Sequence, residues 1–262
     1  MPHVVALYRY PVKGFTPEEC DTLTVLAEGR IAGDRVLGIR FADTEAPDDA
    51  WSRKHGMVAL INTPGLARLR VTFDATAFQL RISLATSVLV DEVLNQAGRQ
   101  RIAAVLADYV LKQNENPLAN HPERLPLRVV GDGRSPRYHD EESGRVTLHG
   151  RGSLQSLEAT LGKDVSESRF RSNIAVDGLT AWEEQSWVSR KIRIRAVEFD
   201  VVKPKTRCFA THANPITGER DLPILTTLTQ KMGQKNPTFA VAMVPSRGGG
   251  EIRVGDQVTL ID

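Results

Sequence analysis

A chain of 262 residues can form one large domain or two modest ones, each with a real core. Its 41% hydrophobic and 25% charged residues exclude a disordered or fibrous protein, and 34 basic against 32 acidic residues leave a formal charge of +2, too little to point to nucleic acid. The opening MPHVVALYRY lacks the apolar core and cleavage site of a secretory signal, and no apolar run approaches the roughly 18 residues of a membrane span, so a cytoplasmic protein without membrane contact is expected.

The first strand is expected over VVALYRYPV, Val4 to Val12, followed by the apolar run LTVLAEG closing at Gly29. In GRIAGDRVLGIRFA the Gly33-Asp34 pair signals a turn, which sets Arg35 at the start of a strand. VALIN (Val58 to Asn62), LRVTF (Leu69 to Phe73) and QLRIS (Gln79 to Ser83) continue a strand-rich segment that predicts a β-barrel or sandwich. RQRIAAVLADYVLKQ, Arg99 to Gln113, sets Ile102, Leu106, Tyr109 and Val110 on one helical face. The polar stretch Gly131 to Arg145 reads as a mobile loop or a lid.

From Val146 the rhythm is strand, helix, strand. VTLHG leads to SLQSLEATLG, a helix with Ser153 as the expected N-cap and Gly162 as its end. RKIRIRAVEFDVV, Arg190 to Val202, alternates as one long strand with a slip of phase near Ala196, and RCFAT follows as a short strand. Asn-Pro and Thr-Gly mark a turn in NPITGE; ILTTLTQK predicts a short helix, TFAVAMV a strand, and IRVGDQVTLI a closing hairpin with Gly255-Asp256 at its tip.

The chain has no phosphate-cradling Gly-rich loop between a strand and a helix, and its six histidines lack zinc-site spacing. In a strand, Cys208 and His212 would share a face without the further ligands zinc needs. There are two cysteines. Cys20 lies beside Glu18, Glu19 and Asp21, a field that disfavours thiolate, whereas Cys208 follows Lys203, Lys205 and Arg207, which favour it. On local charge alone a small buried hydrophobe remains slightly the better reading of Cys208. Arg169 and Arg171 in RFRSN, if extended, share one face and form with Asn173 a donor-rich edge suited to phosphate. Lys13 and Arg35 each sit where a strand meets a tight turn, within reach of an anion at a barrel mouth.

These segments together carry a resemblance. VTLHGRGSLQSLEATLG, RFRSNIAVDG, VVKPKTRC with HANPITGERD, FAVAMV and IRVGDQV occur in the order found in the MOSC domain superfamily. YPVKG and GRIAGDR, with SRK before MVALI, resemble the β-barrel domain that precedes it in the amidoxime-reducing proteins and their bacterial relatives, so the likeness runs from about Val4 to Leu260. It implies a mainly β fold with a few helices (α+β): an N-terminal β-barrel domain over residues 1–97 and a MOSC β-barrel domain over residues 98–262. It also implies the molybdenum cofactor, Mo-molybdopterin, with Cys208 as the metal ligand and catalytic residue. Lys13, Arg35, Arg171 and Thr206 match family positions near the cofactor, and Asn173 and Arg207, from the same two motifs, are counted with them as cofactor-binding residues.

Three departures stand out: Ser172 where the family usually has proline, Gly14 where serine often follows the lysine, and Lys205 where another cysteine is common. Two cysteines leave no set for an iron-sulfur cluster. The implied activity is an oxidoreductase that reduces N-hydroxylated or other N-oxygenated small molecules. Its electrons would come from a separate partner such as ferredoxin, flavodoxin or a cytochrome b5-like reductase system. The alternative is a non-catalytic carrier of the cofactor or of sulfur.

Overall fold

The computed structural model describes residues 1–51 and 54–261. Ser52 and Arg53 of the SRK motif lie outside the described residues. Strands β1 (His3–Arg9), β2 (Glu18–Cys20), β3 (Thr22–Val25), β4 (Gly38–Arg40), β5 (Leu69–Asp74), β6 (Gln79–Leu84) and β7 (Ser87–Val93) precede helix α1 (Gln96–Leu111). β8 (Arg128–Val130) and β9 (Val146–Gly150) lead to α2 (Arg151–Leu161), and β10 (Ile174–Asp177), β11 (Lys191–Ile194) and β12 (Val197–Thr206) follow. The single turn α3 (Ile224–Thr226), β13 (Thr238–Pro245), β14 (Gly250–Arg253) and β15 (Val258–Leu260) complete the described fold, which is mostly β with three helices.

The large sheet has eight strands in the order β15-β11-β12-β13-β9-β10-β1-β2. Its pairs are antiparallel except β9 with β10, which run parallel, as strands joined by a helical crossover such as α2 can do. Among the described residues no strand ladder closes the sheet into a barrel; an isolated bridge from His3 to Gln257 and backbone bonds between Val4 and Gly255–Asp256 join β1 to the residues before β15. Leu148, Ile174, Val176, Val201, Val241 and Met243 pack over this sheet in one buried cluster. Side chains of this kind contribute about 1.5–3 kcal/mol each when fully buried.

A second core lies on the smaller sheet β5-β6-β7, where Leu69, Val71 and Phe73 alternate inward against exposed Arg70, Thr72 and Asp74. Helix α1 starts at Asn95, whose side chain accepts from Gly98 N at 2.8 Å, and turns Ile102, Leu106, Tyr109 and Val110 into the same core. Segments from both sides of residue 97 meet in each core: α1 packs with Val12, Ile39 and Val71, while β1 pairs with β10 and β3 with β14.

Several local expectations change in three dimensions. The run from Arg190 is two strands: Ile194 pairs with Val197 across a tight hairpin in which Arg195 takes φ 56°, and this turn is the slip of phase near Ala196. β14 and β15 do not pair with each other, because β14 joins β3 and β15 joins β11. VALIN forms turns rather than a strand, with Asn62 Oδ1 accepting from Ala59 N at 2.9 Å. Ser153 lies inside α2, which is capped by Gly150; its hydroxyl donates to Glu184 at 2.8 Å. Gly162 does end α2, at φ 66°.

Candidate functional site

One cavity gathers most of the residues singled out from the sequence. Lys13, Arg35, Arg171, Thr206, Arg207 and Cys208 line it, together with Arg145, Arg169, Lys205, Asp140 and Glu141. They come from segments joined to the large sheet: Lys13 follows β1, Arg145 precedes β9, Arg171 precedes β10 and Cys208 follows β12. The empty space, counted with the open solvent at its mouth, is about 930 Å³.

Cys208 sits half-buried where β12 gives way to a 3-10 turn, Phe209–His212. RCFAT is therefore not a strand. The Cys208 carbonyl accepts from Thr211 N at 3.1 Å and Thr211 Oγ1 at 3.0 Å, which fixes the backbone that carries the thiol. His212 is turned away, and its Nε2 accepts from Leu225 N at 3.3 Å. Among the described residues, no group of three or more His, Cys, Asp and Glu is placed to hold a metal ion.

The inner wall is organised around Tyr10. This side chain is fully buried, its hydroxyl donates to Ser172 O at 3.1 Å, and the guanidinium carbons of Arg35 and Arg171 lie 4.9 Å and 4.4 Å from its ring centroid. Arg35 and Arg171 both adopt φ 53°, so RFRSN is not extended there. Asp34 anchors the group: it accepts from Tyr10 N at 2.7 Å and pairs with Arg35. Burial opposes ionisation of Asp34, but Arg35, His139 and the Tyr10 N–H outweigh it and hold the carboxyl down at about 2. Lys13 is 4% exposed and donates to Tyr138 O at 2.9 Å and Asp140 at 3.1 Å.

The remaining predicted residues divide. Arg207 donates to Phe239 O and Phe170 O, both at 2.7 Å, and its Nη2 is buried with no hydrogen-bond partner. Thr206 is exposed at the end of β12. Asn173 is not on the cavity wall: it is buried, with Oδ1 accepting from Thr147 N at 3.2 Å and Nδ2 donating to Tyr8 O at 3.2 Å. It supports the sheet beneath the site. Arg169 is buried and paired to Asp221 at 2.8 Å, leaving its Nε without a partner.

The electrostatics of the cavity are one-sided. Among the described residues its wall carries eight lysines and arginines but only two acids, Asp140 and Glu141. Burial, then neighbouring Arg35, push Arg171 down to about 10, and burial does the same to Arg207. A wall short of counter-charge with unpaired guanidinium donors has the chemistry of an anion site. A phosphate-bearing cofactor fits these residues.

The sequence marks Gly131 to Arg145 as a mobile loop or lid without singling out Asp140 or Arg145 as wall residues, and it does not single out Lys54. They lie in loops, and no spacing announces which loop folds over a distant strand. The Gly131 to Arg145 stretch is tied to the inner wall at its middle: Tyr138 is fully buried, and the Arg137 and Tyr138 amides donate to Arg35 O at 3.2 and 3.0 Å. Gly14 has φ 79°, and a Cβ there would lie 2.6 Å from Ala59, so this turn has no room for the serine common in the related proteins.

The chain is 32% identical over 136 residues to a molybdenum cofactor sulfurase of Caenorhabditis elegans, a match covering 51% of this chain and 18% of that protein. It is 31% identical over 118 residues to mitochondrial amidoxime-reducing component 1 of Mus musculus, covering 42% of this chain and 34% of that one. The chain thus spans about a third or less of these two relatives. The solved YUAD protein of Bacillus subtilis aligns over 98% of this chain and 94% of its own, at 9% identity and a TM-score of 0.41. No helix among the described residues is long and apolar enough to cross a membrane. Residues 135–259 match the MOSC domain family, and the chain carries a MOSC domain there.

Proposed function

We propose that the chain binds a pterin-held molybdenum in this cavity and reduces N-oxygenated small molecules with electrons from a separate protein. The observation that carries the reading is the meeting of Cys208 with Lys13, Arg35, Arg171 and Arg207 on one cavity wall, where Arg207 Nη2 is buried without a partner. The likeness to amidoxime-reducing component 1 supports the substrate class, and the likeness to molybdenum cofactor sulfurases supports the cofactor.

Each residue has a physical task in this reading. The Cys208 sulfur, held by the Thr211 contacts to its carbonyl, is the protein's donor to the metal. Lys13, Arg35, Arg171 and Arg207 neutralise the phosphate of the pterin, which would otherwise be costly to bury. The Tyr10 ring packs against two of these guanidinium groups and gives both a cation–π partner. Thr206, at the end of β12, sits at the rim where a hydroxyl can meet the cofactor. When bound, such a group supplies two-electron oxygen-atom chemistry; overall the N–O bond breaks and the oxygen leaves as water, with two electrons and two protons supplied.

Cys208→Ser tests this directly. Reduction of an N-hydroxylated amidine with a reducing dye should be abolished, while pterin held by the cation cluster is partly retained. Turnover that survives in Cys208→Ser sinks the reading. A second reading, a carrier that hands on cofactor or sulfur, draws on the sulfurase likeness. It predicts exchange of bound cofactor with an apo-enzyme and no reduction of N-hydroxylated compounds.

A further inference from the structure

The cations of the cavity form two groups. The inner one, around Tyr10, already has Asp34 and Asp140 as partners. The outer one consists of Arg145 and Lys205 on the wall and Lys203 beside it, all drawn to a single carboxylate, Glu141. Lys203 Nζ lies 2.9 Å from Oε2, Lys205 Nζ 3.3 Å from Oε1, and Arg145 Nη1 3.3 Å from Oε2. Three positive charges converge on this carboxylate, with Asp140 a second acid felt by Lys205, and Arg145 Nε and Nη1 are buried with no hydrogen-bond partner.

We infer that Lys203, Lys205 and Arg145 form a second anion subsite at the mouth of the cavity, which takes the carboxylate of an anionic substrate and is filled in the free protein by Glu141. The present occupant defines the ligand: a carboxylate is what these three cations now hold. Glu141 is suited to leave, because its side chain is 38% exposed and its neighbours Glu142 and Ser143 are exposed. Ion pairs as open as Lys203 with Glu141, 43% and 38% exposed, are individually weak, so exchange of one carboxylate for another has little to overcome. Lys205, Arg145 and Glu141 line the same cavity as Cys208, so a molecule anchored by its carboxylate at the mouth can turn its other end inward. Resting on the reduction proposed above, the substrate class is an N-hydroxylated compound that also bears a carboxylate.

Calorimetric titration of benzoate, with neutral benzamide as control, tests the subsite without turnover. Glu141→Gln should bind benzoate about tenfold more tightly than the parent protein, and adding Lys203→Met and Lys205→Met should remove the gain. Glu141→Gln with Lys203→Met alone, which spares Lys205, should lose part of it. Equal affinity in Glu141→Gln and parent, or a gain that survives loss of both lysines, overturns the subsite. Dye-linked reduction of neutral benzamidoxime in the same preparations separates the two claims. Turnover without benzoate binding removes the subsite and keeps the reductase; benzoate binding without turnover does the reverse.

Discussion

Arg35 and Arg171 lie against the ring of a fully buried tyrosine, whereas Lys203 and Lys205 meet Glu141 through flexible side chains at the edge of solvent. Both walls of the cavity are positive, yet the cationic side chains of the inner one are bonded to backbone carbonyls, whereas Lys203 and Lys205 donate to Glu141. Arg171 donates to Phe15 O, Arg207 to Phe239 O and Phe170 O, and Lys13 to Tyr138 O. The outer wall depends on one loop carboxylate. A site that must keep a large anionic cofactor and exchange small molecules benefits from that division, with permanent charge inside and exchangeable charge at the mouth.

The largest expected effect is at Arg171. Arg171→Ala and Arg171→Gly should each lower pterin retention at least about tenfold, the scale of a lost charge-assisted hydrogen bond. Since Arg171 has φ 53°, glycine should be the more stable of the two by about 1 kcal/mol, measured as a melting midpoint. Equal pterin retention in all three proteins would remove the inner wall from the cofactor site.

Asp34 comes next. Its folded carboxyl, at about 2, lies below its ordinary 3.8, and such a group contributes stability that is complete above the unfolded value and lost as pH falls through the folded one. The contribution, about 2 kcal/mol, should fade between about pH 4 and about pH 2. Asp34→Asn should flatten that acid limb in a plot of melting midpoint against pH, and an unchanged limb would deny the inner wall its anchor. Tyr10→Phe removes only the donor to Ser172 O, so a loss of about 1 kcal/mol with pterin content intact is expected from paired denaturation and pterin assays. Smallest of all, Lys203→Met on the outer wall should change stability by less than about 0.5 kcal/mol and leave pterin content as it was. A large loss there would erase the contrast between the walls.

The sequence shows the strands well where local alternation decides them, as in Leu69 to Phe73, and shows the end of α2 because Gly162 alone suits the left-handed turn. It hides the hairpin at Arg195, where an arginine takes a conformation usually marked by glycine or asparagine. The parting of β14 from β15 is equally hidden, since β14 pairs with a strand more than two hundred residues earlier. At the site, Lys13, Arg35, Arg171, Arg207 and Cys208 were legible through motif resemblance and do share a cavity. Asn173 misled because a polar residue beside two arginines can equally serve a neighbouring strand, here through Thr147 and Tyr8. Glu141 left no signal, because a loop acid gains meaning only when folding sets it among three cations.

Metal and pterin analysis of freshly purified protein, made in a host that synthesises the cofactor, is the most direct test. Molybdenum and pterin equimolar with the chain, with molybdenum lost in Cys208→Ser, is the expected result; protein free of both metal and pterin contradicts it.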